Sequence, residues 1–147
     1  MPSSGPRRRR RTCWRRWWPP NDRSLVAEHR HLLIVEDHSQ FAEILAAMGR
    51  LMGYEPRMVP TLLEALEALG EGPAEVTLLD LLLPDSGTSH TLGAIGSLKA
   101  AGAGRVIVIT GVPVTHDLEE LAHHSGAERV IRKGCTEMEQ AIRGAIG

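Results

Sequence analysis

At 147 residues, 42% hydrophobic and 24% charged, the chain has room for one ordinary domain and little more. No run of about 18 apolar residues occurs, which excludes a membrane-spanning helix. The two cysteines, Cys13 and Cys135, lack CxxC or CxxH spacing, which argues against a disulfide framework or a zinc site and suits a reducing cytoplasm.

The net charge of −1 conceals a split. Residues 1–30 carry nine arginines against Asp22 and Glu28, whereas residues 31–147 carry eight basic residues against sixteen acidic ones. The first segment is rich in Pro, Ser and Arg and has no apolar period, so it reads as a basic arm, disordered by itself. Arginines interleaved with Trp14, Trp17 and Trp18 can contact nucleic acid or an anionic membrane surface. The plainer reading is a solvated tail or a stretch translated from a misassigned start. WWPPND stands where a secretory signal needs an apolar core.

From His31 onward, short apolar runs alternate with amphipathic segments. LLIVE (32–36) reads as a buried strand, and residues 39–52 as a helix whose face carries Phe41, Ile44, Leu45, Met48 and Met52, ending at Gly53. YEPRMV (54–59) is a weaker strand, and Pro56 marks it as a sheet edge. Thr61 with Glu64 has capping-box spacing for a helix carrying Leu62, Ala65, Leu66 and Leu69, closed by Gly70 to Pro73. VTLLD (76–80) is a third strand, followed by a helix from about Ser89 to Ala101. RVIVIT (105–110) is a fourth strand, apolar on both faces. Residues 115–125 are helical, RVIR (129–132) is a short fifth strand, and Thr136 with Glu139 caps a last helix to about Ile146. Strands apolar on both faces imply an α/β fold, a five-stranded doubly wound parallel sheet covered by helices on each side. One domain over about residues 31–147 accommodates all of it.

Chemistry in such sheets gathers at the carboxyl ends of the strands. Those ends carry Glu36 and Asp37, then Asp80, then Thr110, then Lys133, while the second strand offers only Val59 and Pro60. Three crowded carboxylates repel unless a cation is bound. Hard oxygen ligands in this number suit Mg²⁺ with phosphate oxygens, and a lysine with a threonine hydroxyl complements a phosphoryl group. On this reading Asp80, set among leucines, is compensated by a metal and Lys133 and can serve as a nucleophile.

The segments IVED (34–37), LLDLLLP (78–84), VIVITG (106–111) and VIRKG (130–134) together resemble the receiver domain of two-component response regulators, over about residues 31–147. The resemblance implies a flavodoxin-like sheet in the order 2-1-3-4-5. It makes Asp80 the phosphoacceptor, served by a histidine kinase or histidine phosphotransfer protein. It also implies Mg²⁺ held by Glu36, Asp37, Asp80 and the backbone carbonyl of Leu82. Lys133 would contact a phosphoryl oxygen, and Thr110 would act as the switch toward a downstream protein target. Expected, then, is a cytoplasmic, stand-alone switch or relay rather than an enzyme, with no DNA-binding output domain after Gly147.

The sequence also departs from the family pattern. Val130 and Ile131 stand where an aromatic usually precedes the lysine, Gly134 replaces the proline that usually follows it, and Gly87 falls one residue early. These departures favour an alternative, a receiver-like protein-interaction module whose switching output has decayed. A Mg²⁺-dependent phosphohydrolase would want a DxD pair, where the chain has Asp80-Leu81-Leu82. His29, His31 and His38 flanking the first strand, and His123–His124, read as scattered surface residues because none has helix-spaced ligand geometry.

Overall fold

The computed structural model describes residues 30–134 and 137–147. The expectations for residues 1–29 and for the Thr136 cap therefore lie outside the described residues. Five strands and five helices alternate: β1 (Arg30–Val35), α1 (Ser39–Leu51), β2 (Tyr54–Val59), α2 (Leu62–Glu71), β3 (Val76–Asp80), α3 (Thr88–Ala100), β4 (Arg105–Thr110), α4 (His116–Ser125), β5 (Ala127–Arg132) and α5 (Met138–Ile146). All four strand pairings are parallel, and the sheet runs β2-β1-β3-β4-β5. This is the α/β, flavodoxin-like order 2-1-3-4-5, with Pro56 on an edge strand as its missing N–H requires.

Side chains alternate across a strand, so each strand feeds both faces of the sheet. Leu32, Ile34, Val76, Leu78, Ile107, Ile109 and Ile131 pack with Leu45, Met48 and Ile142 under α1 and α5. Leu33, Val35, Leu79, Val106 and Val108 pack with Leu69, Ile95 and Ala122 under α2, α3 and α4.

The element boundaries differ from the sequence reading in ways that have local causes. β1 begins at Arg30 and stops at Val35, so Glu36 lies just past the strand. His31, expected at the surface, is buried within this interior strand. β5 begins at Ala127 because Gly126, at φ 115°, ends α4 in the left-handed region and turns directly into it. Thr115 is the N-cap of α4, its side chain accepting the Leu118 N–H, rather than the first helical residue.

The α1 face also differs. Ile44, expected to be buried, is 52% exposed, and the buried face carries Ala42, Leu45, Ala46, Met48 and Gly49. Small residues let the helix sit close to β1: a Cβ on Gly49 would meet Leu32 Cδ2 at 2.5 Å.

Helix α3 carries two glycines, Gly93 and Gly96, both exposed, with negative φ and nothing within 4 Å of an added Cβ. Replacing either with alanine is expected to raise stability by about 0.5–1 kcal/mol, because alanine removes unfolded-state freedom without a clash. Urea denaturation of each variant checks this, and an unchanged or lower midpoint would contradict it.

Candidate functional site

The period-two alternation decides which strand-end residues meet. Asp80 continues the Val76–Leu78 set, Glu36 follows Leu32 and Ile34, and Lys133 follows Ile131, all of them on the α1/α5 side. The carboxylates converge there. Lys133 Nζ lies 2.8 Å from Glu36 Oε1 and 3.2 Å from Asp80 Oδ2. The side chains of Glu36 and Asp80 are only 2% and 4% exposed, while that of Lys133 keeps 24%. Asp37, exposed beyond the strand, completes a trio whose carboxylate oxygens can all lie within 4.8 Å of one another. An open cavity of about 420 Å³ sits over this cluster, walled also by His38, Phe41 and Leu82.

The cluster is electrostatically loaded. Burial pushes Glu36 above the ordinary carboxylate range, the charge of Asp80 adds to that, and the hydrogen bond with Lys133 offsets only part of it. For Lys133, burial works against the charged ammonium, but the Glu36 hydrogen bond and the Asp80 charge outweigh it, so its pKa lies above the ordinary value. The Phe41 ring, 4.9 Å from Nζ at its centroid, adds a cation–π contact. Two backbone donors help to hold the acids: Leu82 N–H to Asp80 Oδ1 at 3.3 Å, and His38 N–H to Glu36 Oε2 at 3.1 Å.

Thr110 is placed differently from the three convergent residues. It follows Val106 and Val108, the α2–α4 side of the sheet, and is fully buried. Its Oγ1 accepts the Val112 N–H at 3.1 Å, which ties the hydroxyl to its own loop. The Thr110 carbonyl, in turn, accepts the Lys133 N–H at 2.8 Å and so links the two strand ends through the backbone.

The loop after β3 is anchored by Asp85. Its two carboxylate oxygens accept the N–H groups of Leu62 and Leu63, at 3.1 and 3.2 Å, at the start of α2. Desolvation works against this carboxylate, but the backbone N–H groups outweigh it and hold its pKa below the ordinary value. The Leu83–Ser86 bridge tightens the same loop around Pro84. Nothing in the sequence pointed to Asp85, because its partners lie more than twenty residues upstream. Phe41 was legible only as a core residue.

The model of the response regulator receiver domain family matches residues 32–143, about three quarters of the chain. The chain belongs to the response regulator receiver domain family. Solved receivers share its fold. A response regulator from Burkholderia pseudomallei, with a phosphorylated aspartic acid, calcium ion and citrate, is 25% identical at a TM-score of 0.69. That match covers 80% of the present chain and 66% of the other. A CheY-like receiver domain protein from Methanospirillum hungatei is 21% identical at a TM-score of 0.67, over 80% and 90% of the two chains. The phosphorylated cyanobacterial phytochrome response regulator RcpA is 21% identical at a TM-score of 0.63, over 79% and 90%. The search of curated proteins found no match. Among the described residues of this receiver, no helix is long and apolar enough to cross a membrane.

Proposed function

We propose that this receiver accepts a phosphoryl group on Asp80 from a histidine kinase or histidine phosphotransfer protein, and acts as a phosphorylation-dependent switch or relay toward a downstream protein in the cytoplasm. The observation that carries the reading is the bridge of Lys133 between Glu36 and Asp80 at the carboxyl edge of the sheet. A buried carboxylate held by one ammonium at the wall of an open cavity is suited to nucleophilic attack on phosphorus.

The donor set fits a hard divalent cation. Three carboxylates crowd one point, the burial of Glu36 is only partly compensated, and every side-chain ligand in the trio is oxygen. Mg²⁺ would be held by Glu36, Asp37, Asp80 and the Leu82 carbonyl, and when bound it neutralises charge on phosphoryl oxygens. The protein's own residues do the rest. Leu82 N–H orients Asp80 Oδ1, and Lys133 offers its ammonium to a phosphoryl oxygen. With acetyl phosphate as donor, the bond from phosphorus to the acetate oxygen breaks as the bond to an Asp80 oxygen forms. Acetate leaves with the electron pair, and no proton has to move.

Thr110 is assigned the switching role. Its hydroxyl accepts the Val112 N–H and keeps its own hydrogen to donate toward a phosphoryl oxygen. Half-buried Val130 in place of an aromatic favours as a second reading an interaction module that binds its partner without switching.

Intact-mass spectrometry after incubation with acetyl phosphate and Mg²⁺ tests the reading. The expected result is a gain of about 80 Da, one phosphoryl unit on a carboxylate, absent from Asp80→Asn. Folded protein that gains no mass would favour the interaction module.

A further inference from the structure

His38 is an odd residue for its place. It is the N-cap of α1, and its ring Nδ1 accepts the Phe41 N–H at 3.4 Å, a long contact. Ser, Thr, Asp or Asn make better caps, so helix stability gives no reason for histidine here. A local rule broken without local gain points to another use. His38 is also one of the residues that wall the cavity over Asp80 and Lys133. In a neutral imidazole one nitrogen accepts and the other donates. With Nδ1 committed to the cap, Nε2 carries the hydrogen.

Several other donors at the site are already engaged. Lys133 Nζ is shared between Glu36 and Asp80, Leu82 N–H goes to Asp80, and His38's own backbone N–H goes to Glu36. Among the described residues, His38 walls the cavity and has an Nε2–H that the site's own hydrogen bonds do not use.

We propose that His38 donates its Nε2–H to an oxygen of the phosphoryl group as it is transferred to Asp80 and held there, while Nδ1 caps α1. This inference rests on the reading of Asp80 as phosphoacceptor and adds a contact from the α1 side of the cavity. It makes the histidine a residue that touches the reacting group.

The two nitrogens can be separated by substitution, because an Asn amide stands near the position of Nδ1 and a Gln amide near that of Nε2. Full-length wild type, His38→Asn and His38→Gln are compared for rate of phosphoryl gain from acetyl phosphate with Mg²⁺, for lifetime of the phosphorylated form after donor removal, and for thermal midpoint. His38→Asn is expected to keep or raise the midpoint and to lose about tenfold in rate, the scale of one hydrogen bond to a charged group. His38→Gln is expected to retain most of the rate and show a lower midpoint. Wild-type kinetics in His38→Asn, or a rate in His38→Gln as low as in His38→Asn, would overturn the contact and leave Asp80 as phosphoacceptor. Absence of phosphoryl gain in folded wild type would overturn both.

Discussion

Replacing Lys133 with methionine is expected to cost about 2–3 kcal/mol of folding stability at pH 7 in cation-free buffer. Losing one partner of a buried ion pair typically costs about 3–5 kcal/mol, and the smaller figure reflects the 24% exposure that the Lys133 side chain retains. The loss arises because Glu36 and Asp80, nearly inaccessible to water, would face each other without a counter-charge. Protonation of Glu36 is the available relief, so the deficit should shrink as pH is lowered. In a Glu36→Gln background the same lysine substitution should cost less, with a coupling of about 1–2 kcal/mol between the two positions. Urea denaturation of the four proteins measures this. Strict additivity, or a single-variant cost within about 0.5 kcal/mol of zero, would show that the bridge contributes little to the fold.

The second large effect is the dependence of stability on pH and divalent cation. The folded-state pKa of Glu36 is raised above its ordinary 4.5, chiefly by burial. A group raised on folding binds its proton more tightly in the native state, so its contribution is fully present below about 4.5 and is lost as pH rises through the raised value. Without cation, stability should therefore fall across that window, and Glu36→Gln should flatten the fall. Lys133, also raised, contributes stability that disappears only well above neutrality, as pH climbs through its elevated value.

Added Mg²⁺ should reverse the trend at neutral pH. At a concentration 100 times its dissociation constant, the gain is about 2.7 kcal/mol. Below the Glu36 window the gain should shrink, because cation and proton compete for the same oxygens. Thermal midpoints with and without Mg²⁺ at acidic and neutral pH decide the matter. An equal shift at both pH values, or none at either, would remove the acidic trio as the cation site.

Much of the fold could be read from the chain because apolar runs of five or six residues ending on acids or a hydroxyl mark interior parallel strands and their functional edge. Glu36 and Asp80 were legible for that reason, since each ends or follows such a run, whereas Lys133 follows only the short, half-exposed RVIR strand. Thr110 shows the limit. Its position at a strand end was evident, but its parity along β4 places it across the sheet from Asp80, and a list of strand ends does not carry parity. Helix faces were misread where the contact is made by small residues. Ile44 looked like core beside Ala42, Ala46 and Gly49, yet the close approach of α1 to Leu32 needs the small side chains inward. His31 and His38 were both set aside as surface histidines. His31 is buried in an interior strand, a difference created by tertiary packing rather than local spacing, whereas His38 is exposed as expected and lines the open cavity.

The strand order has a mechanical consequence. Glu36, Asp37, Asp80 and Thr110 hang from β1, β3 and β4, each clamped between two neighbours, whereas Lys133 hangs from β5, which is bonded to β4 alone. Displacing an edge strand breaks one ladder, and displacing an interior strand breaks two. The pairing of β5 is also already irregular, with its register slipping between Val106 and Ile107. Any redistribution of charge around Asp80 thus reaches, through the Lys133 side chain, the one strand of the site held by a single ladder, and the interior strands form the frame beside it.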